Sequence, residues 1–183
     1  TDADFHDVFR AICDAGQGYG SVSVFKKASV SGGEASDTIK GMTLTVTNSE
    51  ASDYLMIDGT AVPLANNATA TTGNVVVTVT VVNGTATIAL NEVSGGSLTA
   101  QEASNILNNL KFYSTSENPS STQRDVSVTS VTDSGNLSAT PTIVSHISVT
   151  PINDPAVVTV GSGDYVTAKS TSLPNADYLL TGL

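Results

Sequence analysis

Residues 75–90 read Val-Val-Val-Thr-Val-Thr-Val-Val-Asn-Gly-Thr-Ala-Thr-Ile-Ala-Leu. Two runs of period two flank Asn83-Gly84, a dipeptide suited to a two-residue hairpin loop whose central residues both take positive φ. Closing the loop there pairs Val81 with Ala86, Val79 with Ile88 and Val77 with Leu90, all apolar and on one face. The other face pairs Val82 with Thr85, Thr80 with Thr87 and Thr78 with Ala89. A slip of one residue would exchange the faces and expose the apolar set, so the register is fixed by burial. The chain is thereby committed to an antiparallel β core.

The same period recurs along the chain. Val22 and Val24 begin a strand. Met42, Leu44 and Val46 alternate with threonines after Ile39, and Leu55 and Ile57 run into a turn at Asp58-Gly59, after which Ala61 to Leu64 resume. Residues 65–73 read as a polar loop. Val126, Val128 and Val131 mark a strand stopping at 133–136, and Ile143, Ile147 and Val149 mark the last long one. Two segments carry the helical period instead. Phe5, Val8, Phe9 and Ile12 predict an N-terminal helix over 1–16, capped by Asp4 and closed by Gly16. Thr99 and Glu102 form a capping box, ahead of a stripe at Ala103, Ile106, Leu107 and Leu110. This second helix is expected to cross between sheets and cover an open end of the core. The expected fold is all-β: an antiparallel β-sandwich over 20–155 with an N-terminal helix and one short crossing helix. Residues 156–183 read as a C-terminal extension or a linker to a neighbouring domain.

Charge excludes some partners. Seven basic and seventeen acidic residues give −10, which argues against nucleic acid and anionic membrane surfaces. No apolar run has the length of a membrane span. A start at Thr1 rather than Met points to a piece of a longer protein. Cys13 is the one cysteine, so no internal disulfide can form. Twelve of the seventeen acids are Asp, many beside Gly, Asn or Ser. Short carboxylates in loops suit calcium, and they equally suit plain turns.

The stretches TIKGMTLTVTN, LMIDGTAVPL, SLTAQEASNILNNLKFYSTSENPSS, DVSVTSVTDSG and VSHISVTPINDP resemble the cadherin-like domains of giant bacterial surface adhesins of the RTX type. The resemblance spans about residues 21 to 155. It implies an Ig/cadherin-like sandwich, secreted and stabilised by Ca2+, in a long fibre at the cell surface. It also places an interdomain calcium ligand at Asn153-Asp154. Neighbouring domains of the same chain, and a protein or glycan on a host or partner cell, would be its partners in adhesion and biofilm formation. The unit is expected to be a monomer.

If the first and last strands run to the same end, the 31–37 loop brings Glu34 and Asp37 to Asn153 and Asp154, and the 115–125 loop adds Glu117 and Asp125. The opposite end then gathers Asp14, Glu50, Asp53, Asp133 and Asn136. Like charges packed this closely repel, and a divalent cation removes the conflict. The metal candidates are thus Asp14, Glu34, Asp37, Asp53, Asp133, Asn136, Asn153 and Asp154. Nothing points to an enzyme. His6 and His146 sit on different elements, and neither a G-x-S-x-G elbow nor an H-E-x-x-H pair occurs. The expected role is a calcium-dependent ligand-binding module that takes a peptide end or a glycan. The alternative is a calcium-rigidified spacer.

Overall fold

The structure, a computed structural model, describes residues 7–10, 20–34, 36–116, 118–141 and 143–151. Its strands are β1 (Asp7–Arg10), β2 (Val22–Ser23), β3 (Ile39–Val46), β4 (Asp53–Ile57), β5 (Thr60–Pro63), β6 (Thr69–Thr72), β7 (Val75–Val82), β8 (Thr85–Glu92), β9 (Lys111–Ser114), β10 (Arg124–Asp133), β11 (Ser138–Ala139) and β12 (Ile143–Thr150). One helix among the described residues, α1 (Ala100–Asn108), lies between β8 and β9. The larger sheet runs β1-β12-β10-β3-β8-β7-β6, with β11 added beside β10, and the smaller runs β2-β9-β4-β5. All pairings are antiparallel except β1 with β12. Both sheets turn their apolar face to one core, where Leu44, Ile88 and Val126 of the larger meet Leu55, Val62 and Phe112 of the smaller. The chain is an all-β protein.

The β7–β8 hairpin has the expected register from Val75↔Glu92 to Val82↔Thr85. Asn83 and Gly84 sit at φ 50° and 74°, as a type I′ loop requires. Thr99 caps α1, accepting from the Glu102 amide, while the Glu102 carboxylate accepts from the Thr99 amide at 2.7 Å. Ala103, Ile106, Leu107 and Leu110 are all buried, so α1 joins the sheets and closes the core as its stripe requires.

Three segments differ from expectation. Asp7–Arg10 form a strand, not part of a helix: they pair in parallel with Ile147–Thr150. A free edge of β12 offers backbone hydrogen bonds that a local helical period cannot match, and Val8 and Phe9 are themselves β-formers. The rest of the helix expected over 1–16 lies outside the described residues. Within the expected loop 65–73, Thr69–Thr72 pair with Val75–Thr78 as edge strand β6. Edge strands need little apolar alternation, and threonine is β-branched, so no period marks this one. Ser138–Ala139 add the short β11 beside Val131 and Thr132. The extension over 156–183 lies outside the described residues.

Candidate functional site

The inner face of β10 changes character halfway along. Val126 and Val128 are buried in the core, but the register with β3 shifts between Val128 and Ser130. The extra residue of this bulge turns Val131 inward in place of Ser130, and two residues later Asp133. A second shift, which skips Lys40 of β3, keeps Ile39 on the same inner face. A carboxylate therefore stands on the apolar side of the sheet, with Asp133 only 8% exposed.

A groove of about 430 Å³ opens beside it. Its floor is Ile39, Val128, Val131 and Leu107 of α1. One wall is the 29–33 segment, which α1 pins in place. Asn108 clamps Ala28, its Oδ1 accepting from the amide at 2.7 Å and its Nδ2 donating to the carbonyl at 2.9 Å. Ser104 Oγ accepts from the Val30 amide at 2.9 Å. The other wall is Leu137 to Ala139, Pro141 and Ile143. Leu137 is 73% exposed and Ile143 40%, two of the four large hydrophobics that the described residues leave exposed. The volume falls within the ~300–1,000 Å³ common for ligand sites.

The two carboxylate-bearing ends are composed differently from expectation. Because β3 and β10 are antiparallel, the start of β3 meets the end of β10. Glu34 and Asp37 therefore join Asp133 and Asn136: the Ser134 amide donates to Thr38 O, and Lys40 Nζ donates to Asn136 Oδ1. A methyl at Gly33 would touch both Asp37 Oδ2, at 3.5 Å, and Asp133 Oδ2, at 3.8 Å. Asp53, Glu50 and Asp125 gather at the other end. Asp14, Asn153, Asp154 and Glu117 lie outside the described residues.

At that second end a residue that no motif marked supplies the cation. Arg124, fully buried, sits 3.1 Å from Asp53 Oδ2 and 3.2 Å from Glu50 Oε1. Its Nη1 donates to Ser120 O at 2.6 Å and to Thr122 O. Glu50 Oε1 also accepts from the Ser120 amide at 3.1 Å. Asp53 Oδ1 is buried with no partner among the described residues. The one hint in the sequence is that Arg124 is the single arginine between 20 and 155. Beside it, Asp125 holds His146 across the strands at 2.7 Å. Burial pushes the Asp125 carboxyl up, but hydrogen bonds from His146 and Gln123 outweigh it and leave the group below its usual range.

Each expected aspartate that is described uses one oxygen to close its own turn. Asp37 Oδ2 accepts from the Glu34 amide at 2.7 Å, Asp53 Oδ2 from the Glu50 amide at 3.0 Å, and Asp133 Oδ1 from the Leu137 amide at 2.8 Å. Among the described residues no three metal-ligating side chains gather.

The class of protein that fold and site define is an all-β domain of two sheets, with an apolar groove that ends at an inward-facing carboxylate. No family model, curated protein or solved structure matches the chain. Among the described residues no helix is long and apolar enough to cross a membrane.

Proposed function

We propose that this domain is a ligand-binding module of a large bacterial surface adhesin, and that the groove beside β10 holds the end of a peptide on a host or partner cell. The observation that carries this reading is the groove itself: apolar floor, pinned wall, exposed Leu137 and Ile143 at the rim, and one carboxylate at the end. A peptide suits it better than a glycan. Among the described residues the lining is largely aliphatic and carries no aromatic ring on which a sugar would stack. On this reading the protein works outside the cell in an Ig/cadherin-like frame. On the same reading calcium is held at Asn153-Asp154, the interdomain ligand that the resemblance implies, and stiffens the junction with a neighbouring domain.

Affinity selection from a random peptide library, run in calcium and in chelator, tests the binding role. The account expects enriched peptides that Ala139→Trp, a bulky ring at the exposed rim, no longer retains. No enrichment under either condition would contradict it. The second reading is a stiff spacer, favoured by the buried Arg124 cluster, which ties the 48–53 and 114–123 loops together. It predicts empty ligand screens.

A further inference from the structure

We propose that the groove selects the free amino end of a peptide with aliphatic first residues, Asp133 supplying the counter-charge for the ammonium group. This rests on the groove being the binding site. Asp133 is nine-tenths buried, and its two oxygens are differently used. Oδ1 closes the 133–137 turn, whereas Oδ2 faces Gly33 at the groove's end. Asp133 makes no ion pair among the described residues, and a bound ammonium would supply one together with charge-assisted hydrogen bonds.

The surroundings point the same way. Among the described residues no Lys, Arg or His lines the groove, so a peptide's carboxyl end would meet repulsion from Asp133 and, across Gly33, from Asp37. Lys40, the nearest basic residue along β3, is engaged with Asn136. Asp133 lies five positions after Val128, which faces Ile143 across the ladder. At about 3.3 Å per residue that span is about 16 Å, room for roughly four extended residues. Their side chains would lie on Val131, Val128 and Leu107. The net charge of −10 draws cations toward the surface as a whole.

The test is calorimetric titration of the full 183-residue chain, in chelator, with three forms of the tripeptide Ile-Leu-Val. One has a free amine and an amidated end, one is acetylated with a free carboxylate, and one is capped at both ends. The free-amine form is expected to bind at least about tenfold tighter than either acetylated form, the worth of one charge-assisted contact. Asp133→Asn keeps an oxygen for the Leu137 amide and removes the charge. It is expected to cut the amine preference to about threefold or less while leaving the doubly capped form's affinity unchanged. If the doubly capped form binds wild type as well as the free amine does, the amino-end inference is overturned and the groove reading stands. Tightest binding by the free carboxylate, or an amine preference that survives Asp133→Asn, also overturns it. If none of the three binds, the groove reading itself falls.

Discussion

Asp53 and Arg124 show how a single buried charge organises an end of this domain. Both side chains are fully buried, and their ion pair is supplemented by Glu50 and by two carbonyls on the 120–122 turn. Removing one partner of a buried pair strands the other, which typically costs 3–5 kcal/mol, whereas removing the charges together costs much less. Arg124→Met is therefore expected to lower unfolding free energy by about 3–5 kcal/mol, and adding Asp53→Asn and Glu50→Gln should recover most of it. Urea denaturation of the two variants reads this out, and equal losses would contradict it. Asp125 makes a gentler case. Its folded-state pKa lies below the ordinary 3.8 because of His146 and Gln123, so its contribution is present above that value and is lost as pH falls through the lowered one. His146→Ala should thus shrink the acid-side loss of stability below roughly pH 4, seen in melting temperatures across an acid series.

At the scale of the element, legibility followed the strength of the local signal. The β7–β8 hairpin and α1 could be read off because alternation, turn dipeptide and capping box all agree. Thr99→Ala should remove about 1 kcal/mol, measurable by thermal melts, since it removes the hydroxyl that accepts from the Glu102 amide while the Thr99 amide still donates to the Glu102 carboxylate. What stayed hidden depends on partners distant in sequence. Asp7–Arg10 are a strand because β12 has a free edge beside them, and β6 is a strand because β7 does. One hidden feature did leave a trace. Val126, Val128 and Val131 are spaced by two and then three, the mark of a bulge, and that bulge turns Asp133 toward the groove.

At the scale of the whole molecule, the grouping of carboxylates depended on topology. The residues now found at each end are set by β3 lying antiparallel to β10, which no local pattern reveals. The groove was illegible for the same reason: its walls come from segments about a hundred residues apart, brought together by α1 and the end of β10. Near the groove Asp37 and Asp133 each use one oxygen to close their own turn. On the proposed reading calcium acts at the Asn153-Asp154 ligand that the resemblance implies. Chelation should then lower the melting temperature of the full chain, Asp154→Asn should abolish that response, and Asp37→Asn should preserve it. An unmoved wild-type melting temperature would remove calcium from the account.

Amide chemical-shift mapping of the full chain, titrated with the free-amine tripeptide Ile-Leu-Val amide, tests the central claim most directly. The account predicts saturable shifts confined to residues around Val30, Gly33, Val131, Leu137 and Ile143, the two walls and floor of one groove. Shifts centred instead on the outer face of the smaller sheet, around the stacked Tyr54 and Tyr113, or no shifts at all, would contradict it.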